Sequence, residues 1–84
     1  MEAIYNNFQP AFVYVDKYRF SKRWIYNEFN IPYSLLRYIV SGTATFKVND
    51  ESYEVKANDV FYFPYGSTLY CAAHEEIVFI SITI

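Results

Sequence analysis

With 84 residues the chain has room for one domain and not two, and a domain this small buries only about 60–65% of the surface its unfolded chain exposes. Aromatic residues make up 23% of it, with ten Tyr, more ring surface than a small core needs, so some is expected to meet a ligand or a second subunit. The net charge of −2 and pI near 5.2 give no basic footprint for phosphate backbones, so nucleic-acid binding by this chain is not expected.

Residues 1–11 show no clear period and are read as an arm. Phe12 to Val15 has the composition of a first strand, and the polar run over 16–23 reads as a loop. Its basic cluster, Lys17, Arg19, Lys22 and Arg23, reads as a solvated face. Trp24 to Phe29 alternates loosely before Asn30-Ile31-Pro32 interrupts it, because proline lacks the donor a central strand needs. Leu35 to Val40 is a continuous, mostly apolar run closed by Ser41-Gly42, as in a strand buried on both faces.

Thr43 to Val48 and Ser52 to Lys56 alternate around Asn49-Asp50, a turn pair tolerant of positive φ, and predict a hairpin. Ala57-Asn58-Asp59 is the next turn, Val60 to Phe63 a short aromatic strand, and Pro64-Tyr65-Gly66 a rigid bend. Leu69 to Ala73 and Ile77 to Ile84 are the last strands, joined at His74-Glu75-Glu76. No segment has a 3.6 period with caps, and short strands with regularly spaced turns favour a sandwich or barrel.

The frame LLRYIVSG, about fifteen intervening residues, then NDVFYFPYGSTLY resembles the paired motifs of the cupin fold. In that family the first motif runs G-x5-H-x-H-x3-4-E-x6-G and the second G-x5-P-x-G-x2-H-x3-N. Gly42 matches the last glycine of the first motif, which puts Leu35 at the glutamate. The histidine positions fall on Phe29 and Ile31, or with the longer spacer on Glu28 and Asn30. In the second motif Pro64 and Gly66 match, Asn58 replaces the first glycine, Leu69 stands at the histidine and Ala73 at the asparagine.

The resemblance therefore implies an all-β domain over residues 1–84, a small cupin-like jelly-roll barrel of antiparallel strands with little helix. It also implies that this barrel carries no metal and no cofactor, since Leu35 and Leu69 offer hydrocarbon where ligands would stand. Asn58 can keep its turn because Asn tolerates the left-handed conformation.

Within cupins, Trp24, Leu36 to Gly42, Asn58-Asp59 and Pro64 to Tyr70 are similar to the N-terminal sensor domain of AraC-type transcriptional regulators. That similarity implies a small-molecule effector, a homodimer, and DNA contact only through a separate domain absent from these 84 residues. The sequence stops inside its final strand, which fits a barrel followed by further segments or closed by a second copy.

In cupins the motif glutamate points inward, so a period of two would place Leu35, Arg37, Ile39 and Ser41 inside, with Leu69 and Cys71 facing them. Arg37 is the leading ligand-binding candidate. A buried guanidinium cannot neutralise itself, so it either contacts an anionic or hydroxyl-bearing ligand or forms a structural bridge to Glu28 or Glu54. Trp24, Tyr26, Phe46, Tyr62 and Phe63 are candidate walls, with simple core packing the favoured alternative for each ring because a small barrel is usually filled by its own side chains, and the parity of Tyr62 against Phe63 is left open.

His74, the only histidine, reads as a solvated turn residue, since consecutive His74, Glu75 and Glu76 cannot readily converge on a metal. Cys71 has no neighbouring base in sequence and reads as a small hydrophobe. No catalytic assembly emerges, so a binding module is expected rather than an enzyme. The alternatives are a free-standing cupin enzyme, related to isomerases or dioxygenases, and a structural dimer with a filled interior.

A lone cysteine excludes an internal disulfide and fits a reducing compartment. The start MEAIYNNFQP lacks the basic and apolar parts of a signal peptide, and no apolar run approaches the ~20 residues that span a bilayer, so a cytoplasmic protein without membrane contact is expected.

Overall fold

The computed structural model describes residues 14–84 and places eight strands among them: β1 Tyr14–Phe20, β2 Ile25–Glu28, β3 Leu35–Ser41, β4 Thr43–Val48, β5 Glu51–Lys56, β6 Val60–Phe63, β7 Leu69–Ala73 and β8 Ile77–Thr83. Two four-stranded antiparallel sheets run in the orders β1-β8-β3-β6 and β2-β7-β4-β5. Among the described residues there is no helix, so none is long and apolar enough to cross a membrane.

The apolar interior follows from the period of two. On the first sheet Leu35 and Ile39 face inward with Phe63, Ile77 and Phe79; on the second, Ala44, Phe46, Leu69, Cys71 and Ala73 face them. All ten are less than 9% exposed, so the two inner faces form one core. Phe63 is inside and Tyr62, 53% exposed, is outside, which settles the parity that the sequence left open.

Gly42 is the single residue linking β3 to β4, where the chain leaves one sheet for the other. It has φ +90, and a Cβ there would collide with the Glu76 carbonyl oxygen and lie 2.9 Å from Ile77 Cα. The turn residues Asn49 (φ 55) and Asn58 (φ 77) adopt the left-handed conformation, and Asn58 holds the place of the motif glycine.

Two sequence expectations are corrected here. Residues 16–20 are not loop: β1 pairs with β8 in full register from Tyr14↔Thr83 to Phe20↔Ile77. Its polar residues are those of an edge strand, where one face meets solvent, so composition alone reads as a loop. Ser41 does not face inward, because a bulge between Ile39 and Ser41 inserts Val40, pairs Ser41 with outward Val78, and leaves Ser41 exposed. The expected arm (1–11) and the start of the first strand at Phe12 lie outside the described residues.

Candidate functional site

Between the inner face of the first sheet and β2 lies a cavity of about 360 Å³. It is lined by Tyr18 and Phe20 of β1, Trp24, Tyr26 and Tyr33, Leu35 and Arg37 of β3, and Phe79, Ser81 and Thr83 of β8. Register explains the convergence: Arg37 lies opposite Ser81, Leu35 opposite Thr83 and Tyr18 opposite Phe79, all on one face.

Among the described residues that line the cavity, Arg37 is the only one that is Asp, Glu, Lys or Arg, and it is just 6% exposed. Its guanidinium sits among rings, 4.6 Å from the centroid of Phe79, 5.6 Å from Phe46 and Phe63, and 5.9 Å from Trp24. Rings attract the charge but leave the in-plane N–H groups without acceptors. One Nη donates to Cys71 Sγ at 3.0 Å, a weak acceptor, and buried Nε has no partner among the described residues.

The structural bridge weighed for Arg37 is absent among the described residues. Glu28 Oε1 instead accepts from Tyr26 (2.8 Å) and Tyr33 (2.6 Å). Burial, and then the bond to Glu28, raises the Tyr33 pKa, while for Tyr26 the Glu28 bond is the main cause of a rise. Both phenols thus stay protonated, as donors.

Glu54 lies elsewhere, accepting from Thr45 at 2.6 Å with His74 Nε2 2.9 Å away, and those two partners lower its pKa. His74 Nε2 also lies 2.7 Å from Thr45 Oγ1. A proton relay needs one ring nitrogen for the hydroxyl and the other for the acid, whereas here a single nitrogen faces both, so the exposed cluster is a surface tie. His74 is therefore tied across the sheet and not merely solvated. Glu75 accepts from Thr43 and Glu76 pairs with Arg19, so neither joins it at a metal.

Of the candidate ligand-binding residues, Arg37, Trp24 and Tyr26 line the cavity. Phe46, Leu69 and Cys71 are fully buried beside it, and Phe46 and Cys71 seat the guanidinium rather than bound the free space. Tyr62 and Ser41 are corrected to the outer surface, Tyr62 because its partner Leu36 is on the outer side of β3, and Ser41 because of the bulge. Sequence reasoning missed Tyr18 and Phe20, hidden in the supposed loop, and Tyr33, which has no strand period. Phe79, Ser81 and Thr83 alternate visibly, yet only the pairing of β8 with β3 brings them to Arg37.

Burial pushes the Cys71 thiol up to about 11, with the Arg37 charge and hydrogen bond opposing. A raised thiol pKa favours the folded state below the ordinary thiol value, and that contribution fades as pH climbs from there through about 11. At pH 8 native Cys71 should react with iodoacetamide on the order of 10²-fold more slowly than the urea-unfolded chain. Equal rates would show the thiol to be open.

Among the described residues, no three His, Cys, Asp or Glu side chains form a group that could hold a metal ion. Leu35 and Leu69 are buried hydrocarbon, Ile31 is buried and Phe29 is 74% exposed; on the longer spacer Glu28 accepts from Tyr26 and Tyr33 and belongs to no such group of three, so the motif positions do not fit a metal on either spacing.

Residues 32–83 match the cupin domain family. The fold is similar to a cupin superfamily protein from Desulfitobacterium hafniense (TM-score 0.81, 19% identity, covering 90% of this chain and 70% of that one). It is also similar to a predicted oxalate decarboxylase from Thermotoga maritima (0.78, 17%, 99% and 71%) and the EutQ protein of Clostridium difficile (0.72, 14%, 84% and 55%). The chain thus spans little more than half of the EutQ structure's length. No curated protein matches the sequence.

Proposed function

Since this chain belongs to the cupin family and hydrocarbon stands at the motif glutamate and second-motif histidine positions, Leu35 and Leu69, we propose that it is a metal-free small-molecule-binding domain, the sensing and dimerisation part of an AraC-type transcriptional regulator. The observation that carries the binding role is Arg37: a permanent charge, buried and short of acceptors, on the wall of a cavity of about 360 Å³. Cavities of this size suit small ligands. The regulator assignment is supported by the sequence resemblance at Trp24, Leu36 to Gly42, Asn58-Asp59 and Pro64 to Tyr70. DNA contact belongs to a separate domain in this reading.

Self-association is supported by the outer face of the first sheet, where Val15, Ile82, Leu36 and Tyr62 form one cross-strand row and Lys17, Ile80, Tyr38 and Val60 the next, apolar but for the edge Lys17. A second copy on this face would bury the exposed Val15, Tyr38, Val60 and Tyr62. An effector would act by binding one arrangement of such a dimer more tightly than another.

The free-standing enzyme needs a metal held outside the motif positions, and stoichiometric transition metal in purified protein would favour it. The filled structural barrel is disfavoured by the cavity itself.

Thermal unfolding against a panel of sugars, carboxylic acids, amines and nucleosides tests the binding role, with sedimentation of the same samples reporting the dimer. A true ligand at a hundredfold excess over Kd stabilises by about 2.7 kcal/mol, which for a domain this size raises Tm by roughly 10–20 °C. A panel without any saturable shift, or a species that stays monomeric at high concentration, contradicts the corresponding half of the proposal.

A further inference from the structure

We infer that the cavity takes a small monocarboxylate, with its carboxylate on Arg37 and its apolar body against the surrounding rings; this rests on reading the cavity as a ligand site. Charge sets the class. The guanidinium is a buried cation, and among the described residues no Asp or Glu lines the cavity: Asp16, across Ser81 from Arg37 in the ladder, accepts from the Tyr18 hydroxyl at 3.5 Å, and Glu28 accepts from Tyr26 and Tyr33. Glu28 Oε1 is already occupied by two phenols, and the neutral Cys71 thiol is a poor acceptor. What the buried site lacks is one negative charge that accepts N–H bonds, and a carboxylate supplies both.

Geometry narrows it further. Ser81 lies directly across from Arg37, only 6% exposed and on the cavity wall. That hydroxyl is a ready donor to a second carboxylate oxygen. A phosphate monoester would bring a second negative charge with no second cation among these rings, and a neutral polyol would leave the guanidinium uncompensated.

Size limits the body. The volume of about 360 Å³ corresponds to roughly a dozen waters, hence to a ligand of about ten heavy atoms. Phe20 already lies flat on Trp24, with centroids 4.3 Å apart and planes 6° apart. That face of the indole is taken, so the body gains apolar contact there rather than a new stack.

The experiment uses the intrinsic fluorescence of Trp24, the chain's only tryptophan and part of the cavity wall. The full chain is titrated at pH 7 with matched pairs, phenylacetate and phenylacetamide, benzoate and benzamide, hexanoate and hexanamide, and with inorganic phosphate. At least one acid should give a saturable change and bind at least about tenfold tighter than its amide, with phosphate weaker than that acid. In Arg37→Met the preference for acid over amide should vanish, with the amide still bound.

Amides binding as tightly as acids, or phosphate binding tighter, would overturn the carboxylate class while leaving the cavity a ligand site. Silence from every acid would overturn it too, and the thermal panel's sugars, amines and nucleosides then show whether the ligand-site reading falls with it. The wild-type comparison needs no variant, so a misfolded Arg37→Met could not rescue the inference.

Discussion

Gly42→Ala should destabilise the protein by about 3–5 kcal/mol, a large share of the total of roughly 4–13 kcal/mol expected for a domain of this length. Two costs add at this corner. An L-residue at φ +90 is strained by at least ~1–2 kcal/mol, and the new methyl would meet backbone rather than a flexible side chain. The Glu76 carbonyl and Ile77 Cα that it strikes begin β8, and Ile77 is fully buried, so relief requires displacing a central strand of the first sheet.

Gly66→Ala is the control, because Gly66 has φ +83 but nothing within 4 Å of an added Cβ. It should lose only the conformational part, about 1–2 kcal/mol. Urea unfolding of the two variants side by side reads the difference. Near-equal losses would mean that the close approach of β8 to the β3–β4 corner is wrong.

The same corner shows what a sequence can reveal. Gly42, the hairpin around Asn49-Asp50 and the turn at Asn58 were legible because each is a local backbone requirement that few residue types satisfy. The inward parity of Leu35, Arg37 and Ile39 was legible as well, since the period of two holds until the bulge. Beyond it Ser41 changes face, and no residue there announces the inserted Val40.

β1 was hidden for a different reason: an edge strand of Tyr, Asp, Lys and Arg is held by its ladder to β8, a pairing across some sixty residues that local composition does not encode. The site divides in the same way. Arg37, Trp24 and Tyr26 stood out by residue type. Ser81 and Phe79 became part of the site only through the register of β8 on β3, and the bridges offered to Arg37 failed because Glu28 and Glu54 each found other partners.

Arg37→Met should make the ligand-free protein more stable, by about 1–3 kcal/mol. Burying a guanidinium that lacks acceptors costs several kcal/mol. Contact with the rings at 4.6–5.9 Å returns about 2 kcal/mol, an attraction without the hydrogen bonds that its N–H groups need. Methionine fits the same apolar surroundings as an adaptable, uncharged chain, so the penalty goes while most of the packing stays.

A structural role for Arg37 requires the opposite, since removing one member of a satisfied buried network costs about 3–5 kcal/mol. A charge kept at the expense of the empty fold is a charge kept for a guest. The deciding measurement is urea unfolding of Arg37→Met beside wild type without ligand, compared at equal m. A higher midpoint in the variant is the result expected of a ligand anchor; a midpoint lower by the equivalent of about 3 kcal/mol would make Arg37 a strut of the barrel.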